Sequence, residues 1–354
     1  MCSGIECATL GWKHLGWEPV AFSEIEPFQS QLLRTYYPDV PNLGDMSRIN
    51  GKDFEGKVDV LVGGTPCQSY SIMGKRGSLN DPRGQLSLIF SELIHEINPR
   101  VVVWENVPGC LFAKGNPFGH ILAGFIGSKH PVESGRPKGT WPRCGMVVGP
   151  KRSAAWRVLN SQYFGVPQRR NRVYLVSFRT GDRINPGAVL FEPQVLSGSV
   201  ETPRGAQTEP PCSRSSHDRI EKAIAFGKQY GITLADSGDV TPPLTVTNNP
   251  FVYVLATANR GANGLNISKD TSYTLGTDCA VGIMENQSNR IRKLTPLECE
   301  RLQGLPDNYT GIEFKGRIAS DTQRYKAIGN GMAVPCIKWV GERIQKVSED
   351  ANMV

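Results

Sequence analysis

The sequence predicts an α/β protein, a mainly parallel sheet with helices on both faces and a smaller irregular part inserted before the last elements. Two observations carry this. Short apolar runs that close on glycine or polar residues alternate with stretches of helical period, and between about 181 and 290 that alternation stops. In chain order, Val20-Ala21-Phe22-Ser23-Glu24 reads as a short strand closing on an acid. Val58-Asp59-Val60-Leu61-Val62 reads as a buried strand, and Gly63-Gly64-Thr65 lets the chain turn after it. Leu86, Ile89, Phe90, Leu93 and Ile97 recur at helical spacing, and Asn98-Pro99 ends that helix. Val101-Val102-Val103-Trp104 and Arg172-Val173-Tyr174-Leu175-Val176 are further strands.

From about 181 to 290, Pro, Gly, Ser, Thr and Asn accumulate. Only brief runs such as Phe251–Leu255 and Cys279–Ile283 suggest small strands, and Thr202–Arg204 and Cys212–Asp218 have the composition of disordered segments. Order returns at Thr295-Pro296-Leu297-Glu298, where Thr caps, Pro takes the first helical position and Glu closes a capping box; that helix ends at Gly304. Ile337, Val340, Ile344 and Val347 give a last helix its buried stripe. The expected division is 1–180, 181–290 and 291–354, the large domain being assembled from both ends of the chain.

At 354 residues the chain can bury a large core. It holds no apolar run long enough to span a membrane and opens on no secretion signal. Nine cysteines without a Cys-x-x-Cys pair argue against zinc clusters and a disulfide framework, so no metal is expected and a reducing cytoplasm is. Net charge is only +7, but residues 129–183 contain twelve Lys or Arg against Glu133 and Asp182, a local excess that suggests a phosphate backbone as partner. Trp141 and Trp156 within it are read as packing residues.

Chemistry gathers at strand ends. Pro66-Cys67-Gln68 offers a thiol after the first buried run, held on a loop that a proline stiffens. Glu105-Asn106-Val107 places a carboxyl group after the second run, and Gln168-Arg169-Arg170-Asn171 precedes the third. A thiolate nucleophile, a proton-carrying carboxyl group and paired guanidinium groups could converge on one planar polar substrate.

In order and spacing, Gly64-Thr65-Pro66-Cys67-Gln68-Ser69-Tyr70-Ser71, Glu105-Asn106-Val107 and Gln168-Arg169-Arg170-Asn171-Arg172 resemble the signatures of the cytosine-C5 DNA methyltransferases. Cys2-Ser3-Gly4-Ile5-Glu6, Arg292–Gly304 and Ala327–Pro335 resemble further motifs of that family. The resemblance covers roughly 1–180 and 290–340. It implies a Rossmann-like S-adenosylmethionine-dependent methyltransferase sheet, with 181–290 as the target-recognition part. It also implies Cys67 as the nucleophile that adds to C6 of cytosine, Glu105 as the acid at the N3 and N4 edge, Arg172 with Arg170 at the base carbonyl, and Asn106 as a brace. A base inside a duplex must be flipped out to reach such a site. Gln68, Ser71, Lys75, Arg76, Arg83 and Arg169 are the expected DNA contacts, most of them on a glycine-hinged stretch after the nucleophile.

For S-adenosyl-L-methionine, and S-adenosyl-L-homocysteine as product, the resemblance implies a pocket of Cys2, Ser3, Gly4, Ile5, Glu6, Glu24, Ile25, Asp45, Met46, Pro66, Leu86, Asn330, Gly331 and Met332. Glu24 would take the ribose hydroxyls, Ile25 the adenine face and Asp45 the adenine amino group. Glu6 stands where the family usually has a second glycine. Family members also carry several residues of first strand before this turn, whereas this sequence opens at Met1-Cys2; the expectation is a true start upstream. The expected whole is a monomeric enzyme of a bacterial cell or phage-infected host, acting on double-stranded DNA. Transfer RNA methylation and a catalytically silent DNA-binding regulator are the alternatives.

Overall fold

A computed structural model of the chain describes residues 1–65, 82–136, 139–191, 253–256, 266–269, 272–273, 281–285 and 290–352. The first helix, α1 (Cys7–Trp12), starts at Glu6, whose carboxylate accepts from the Thr9 N–H, and α2 (Pro27–Tyr36) follows. Strand β1 (Val60–Gly63), helix α3 (Pro82–Ile97), strand β2 (Val101–Asn106) and helix α4 (Pro117–Ile126) come next. Strands β3 (Cys144–Val148), β4 (Arg152–Asn160), β5 (Gln168–Arg169) and β6 (Asn171–Arg179) lead to a short helix, α5 (Gly187–Leu190).

The main sheet has the order β1-β2-β6-β4-β3. Only β1 and β2 pair in parallel; β2–β6, β6–β4 and β4–β3 are antiparallel. The expected mainly parallel sheet is therefore a mixed one. The physical reason lies in the connections: residues 149–151 join β3 to β4 and residues 161–170 join β4 to β6, both shorter than the roughly dozen residues a parallel crossover takes. Nor does Val20–Glu24 form a full strand: it contributes one parallel bridge, Phe22 to Asn42.

Strand alternation distributes the core over two faces. Val102, Trp104, Val173 and Leu175 point toward α3 and α4, where Phe90, Leu93, Ile94, Phe118, Leu122 and Phe125 pack. Val101, Val103, Tyr174 and Val176 point to the opposite face. That face is covered by α1, α5 and the last helix, Val334–Asn352, whose Ile337, Val340 and Ile344 are buried. Trp141 and Trp156 meet edge to face at 5.5 Å inside the first layer, as packing residues.

Beyond 250, strands β7 (Tyr253–Ala256), β8 (Asn266–Lys269), β10 (Val281–Glu285) and β11 (Arg290–Lys293) form a second, antiparallel sheet, and β9 (Ser272–Tyr273) pairs with β5. The rest of 181–290, apart from 181–191, lies outside the described residues. Helix α6 (Pro296–Gln303) begins on the expected capping box, with the Thr295 N–H donating to Glu298 at 2.7 Å, and stops at left-handed Gly304. After a small hairpin, β12 (Glu313–Phe314) and β13 (Arg317–Ile318), come helices α7 (Asp321–Asn330) and α8 (Val334–Asn352). The return segment is tied to the first residues of the chain. Trp12 Nε1 donates to Ile337 O at 2.7 Å and Tyr309 Oη to Ile5 O at 2.9 Å. Glu300, fully buried, accepts from the backbone N–H of Asn308 and Thr310 and from Arg324, fixing the turn that carries Tyr309.

Candidate active site

Strands β2 and β6 run side by side, and their register sets Glu105 opposite Tyr174. Arg172, near the start of β6, reaches Glu105, with Nε 3.1 Å from Oε1; the two side chains are only 14% and 11% exposed. The contact is an ion pair without an aligned hydrogen bond, so Oε1 is a buried acceptor with no hydrogen-bond partner among the described residues. Burial pushes the Glu105 carboxyl above its ordinary pKa, against the pull of Arg172 and then Arg170. A buried carboxyl group of this kind is suited to holding and giving a proton.

Asn106 braces the end of β1: its Nδ2 donates to Thr65 O at 2.7 Å, while Trp104 Nε1 donates to Thr65 Oγ1. This fixes the residue from which the chain continues to Cys67. Pro66, Cys67, Gln68, Ser71, Lys75 and Arg76, like the Arg83 side chain, lie outside the described residues. Arg169 is exposed on β5.

Arg170 is placed otherwise than expected. It was to join Arg172 at the base carbonyl, but it is 2% exposed, and its Nη2 donates to Gly329 O at 3.2 Å and Gly331 O at 2.7 Å. Burial, then the neighbouring Arg172, lowers its pKa to about 10. Gln303 Nε2 meets the same turn, donating to Ile328 O and Gly331 O. Thus a β-strand arginine and a helix-end glutamine jointly hold Asn330-Gly331-Met332. Sequence reading passed over Gln303, although a glutamine before a helix-ending glycine is an unusual residue to find fully buried.

A small cleft of about 70 Å³ brings Cys2, Ser3, Gly4, Glu6, Glu105, Asn330, Gly331 and Met332 together, with Cys7 and Gly64 also lining it. The turn at its base is tight, with φ near 51°, 57° and 55° at Cys2, Gly4 and Glu6. At Gly4 a side-chain carbon would meet nothing within 4 Å among the described residues, which leaves space over this backbone. Glu6, in a left-handed conformation that glycine takes without cost, is buried and raised in pKa by that burial. Glu24 stands beside the turn, accepting from the Gly4 N–H at 2.7 Å and the Glu26 N–H at 2.8 Å. Ile25, 69% exposed, follows it. Asp45 accepts from the Ser47 N–H, which holds its pKa below the ordinary value. The raised Cys2 thiol, shifted mainly by burial, also feels Glu24 and Asp45.

Two expected cofactor residues belong to the core instead. Ile5 is 1% exposed among Leu32, Leu302 and Ile328, and Met46 is 3% exposed in the layer under α3. Leu86 packs half-buried against that same layer. The basic stretch 129–183 also changes meaning. Arg152 is 1% exposed and donates to Pro99 O, Arg100 O and Ser177, while Arg157, Arg170, Arg172 and Arg179 all have partners inside the protein. Much of that charge holds the sheet and its loops together, and Lys138 lies outside the described residues.

Fold and site define an α/β protein of the S-adenosylmethionine-dependent methyltransferase class. A family model described as C-5 cytosine-specific DNA methylase matches residues 1–346, and the chain belongs to that family. Relatives include a "DNA N-6-adenine-methyltransferase" of Escherichia phage P1, 34% identical over 98% of this chain; the chain spans 60% of that protein's length. The type II methyltransferase M.HpaII of Haemophilus parainfluenzae is 27% identical over 97% of this chain and 87% of its own. In fold, the chain resembles the Entamoeba histolytica methyltransferase EhMeth (TM-score 0.58, 14% identity, 98% and 96% of the two chains covered). The S. pombe Dnmt2 methyltransferase is equally similar (TM-score 0.58, 15% identity, 97% of each chain).

Proposed function

We propose that this chain methylates C5 of cytosine in double-stranded DNA, with S-adenosyl-L-methionine as methyl donor. The observation that carries the reading is the buried Glu105–Arg172 pair at adjoining strand ends, opening on the cleft between the Cys2–Glu6 turn and Asn330–Met332. The family membership and the ordered motifs around Cys67 support it.

C5 of cytosine is a weak nucleophile. In the proposed reaction the Cys67 thiolate bonds to C6, the ring electrons move toward N3, and Glu105 gives N3 its proton. C5 then carries the electron pair that takes the methyl group. Loss of the C5 proton to a base, expulsion of the thiolate and return of the N3 proton to Glu105 restore the aromatic ring. Arg172 holds Glu105 in place and presents positive charge to the base carbonyl. A flipped-out base is required, because a stacked base exposes neither face to a thiol.

The residues present suit the cofactor, which supplies an electrophilic methyl group on a sulfonium. The open backbone at Gly4, the adjoining carboxylates of Glu24 and Asp45 and the exposed face of Ile25 offer a cradle, acceptors for hydroxyl and amino groups, and an apolar surface. Asn330-Gly331-Met332 closes the other side.

The test is transfer of labelled methyl to unmodified duplex DNA, with transfer RNA in parallel and each product mapped at single-base resolution. 5-Methylcytosine in DNA is expected. N6-methyladenine, the product for which the phage P1 relative is named, or label in RNA alone, overturns the reading.

A further inference from the structure

The Cys2–Glu6 turn is held in a conformation that its side chains resist. Cys2 and Glu6 take left-handed backbone, with φ near 51° and 55°, and a residue with a Cβ keeps that conformation only where its neighbours impose it. Hydrogen bonds impose it one peptide at a time. The Ser3 N–H donates to Ser23 O at 2.9 Å, the Gly4 N–H to Glu24 Oε2 at 2.7 Å and the Glu6 N–H to Ser3 O at 2.9 Å. The Ile5 carbonyl, on the same peptide as the Glu6 N–H, accepts from Tyr309 Oη at 2.9 Å in a buried bond. That peptide is gripped at both ends, once from within the turn and once from the return segment.

Tyr309 is itself fixed from several sides. The N–H groups of its neighbours Asn308 and Thr310 each donate to the buried Glu300 carboxylate at 2.8 Å. Arg324 on α7 closes this arrangement, its Nη2 donating to Glu300 Oε1 at 3.1 Å and its Nε to Thr310 Oγ1 at 3.0 Å. From α2, the Tyr36 ring stacks on the Tyr309 ring at 4.4 Å, and Tyr36 Oη donates to Tyr309 O at 2.9 Å. The phenol is thus aimed at the Ile5 carbonyl by elements on both of its flanks.

Ile5 and Tyr309 are 1% and 3% exposed in one core cluster with Leu302, Leu305 and Ile328. Ser3, Gly4 and Glu6 line the cleft. The hydroxyl therefore stands behind the turn and the cleft in front of it, with the Ile5–Glu6 peptide between them. From there it acts on a bound molecule through the backbone that the molecule meets. Without the hydroxyl, the Ile5 carbonyl becomes a buried acceptor short of a donor, and rotation of its peptide toward another partner is the available relief.

We propose that Tyr309 is a positioning residue for S-adenosyl-L-methionine: its hydroxyl fixes the Ile5–Glu6 peptide and so the shape of the turn that receives the cofactor. The inference rests on the reading of that turn as the cofactor's cradle. Binding groups have to be held within ~0.5 Å of their productive places, and a turn with two left-handed side-chain-bearing residues does not meet that tolerance by itself.

The test is Tyr309→Phe in the full chain, which keeps the ring, its stack on Tyr36 and its packing. Titration calorimetry with S-adenosyl-L-homocysteine is expected to show a Kd raised about tenfold. Amide hydrogen exchange at Glu6 in the cofactor-free protein should quicken by ~10-fold or more. With saturating S-adenosyl-L-methionine, kcat should stay within about twofold of wild type, since a purely positioning loss is made good by occupancy. Tyr36→Phe removes a hydroxyl bond from the far side of Tyr309 and should leave Kd within about twofold. Glu24→Ala, beside Gly4, reports on the cradle itself. Weaker binding in Glu24→Ala with none in Tyr309→Phe overturns the proposal and leaves the cradle standing; no effect in either variant overturns both. Equal weakening in Tyr36→Phe and Tyr309→Phe also overturns it, because a general loss of stability behaves that way.

Discussion

Replacing Arg172 by methionine removes the cation that faces Glu105 while keeping most of the apolar stem. Both side chains are nearly buried, so the carboxylate is left without its charge partner at 3.1 Å. It then takes up a proton, and that proton sets the size of the effect. A glutamate of ordinary pKa ~4.3 in the unfolded chain, held neutral in the folded one, costs at most ~3.7 kcal/mol at pH 7, at ~1.36 kcal/mol per pH unit. At pH 5 the same ceiling is about 1 kcal/mol. In the native protein Glu105 is already raised by burial, so part of this cost is present there, and a loss of ~2–3 kcal/mol at pH 7 is expected. The sign is fixed. A carboxyl raised in the folded state contributes its stability below the unfolded pKa and loses it as pH climbs through the folded one. The deficit of Arg172→Met must therefore shrink on acidification. Urea unfolding at pH 5 and pH 7, in the wild-type and Glu105→Gln backgrounds, measures it. The Gln background should reduce the cost to below ~1 kcal/mol. A deficit that is equal at both pH values and survives in the Gln background refutes the reasoning, because only lost packing behaves that way.

Cys67→Ala should abolish methyl transfer while DNA binding persists, measured by label incorporation beside a gel-shift titration; unimpaired turnover ends the covalent mechanism. In Arg170→Lys the ammonium lies one bond nearer the backbone than the Nη2 that donates to both Gly329 O and Gly331 O, so the KM for S-adenosylmethionine should rise about tenfold with a smaller change in kcat. An effect on kcat alone would return Arg170 to the base. Glu300→Gln puts an amide donor against the Asn308 or Thr310 N–H and should lower stability by ~2–4 kcal/mol in a urea titration. For Gly4→Ala there is room, but φ is near 57°, so calorimetry should show a loss of ~1 kcal/mol together with weaker cofactor binding.

Much of the site is legible in the sequence because its residues sit where strands must end. An apolar run of four residues closing on Glu105-Asn106 can only deliver that carboxyl group to the sheet's rim, and Asn106 braces Thr65 as the motif implies. The capping box at Thr295 and the stripe of α8 are equally local, since each depends on residues three or four apart on one helix. Arg170 and Gln303 were not legible in this way. Both carry groups that elsewhere bind substrates, and only the approach of β6, α6 and α7 in space gives them a shared backbone turn to hold.

Local pattern in the chain was enough for the α/β class, the order of the motifs, the helix boundaries set by Pro296, Thr295 and Gly304, and the family. These rest on short-range periodicity and on chemistry written at fixed spacing. That the sheet is mixed follows from contacts between distant segments. The same contacts put Ile5 and Met46 in the core and engage much of the basic charge of 129–183 inside the protein. Strand direction and burial depend on which segments become neighbours, and that is a property of contacts between residues far apart in the chain.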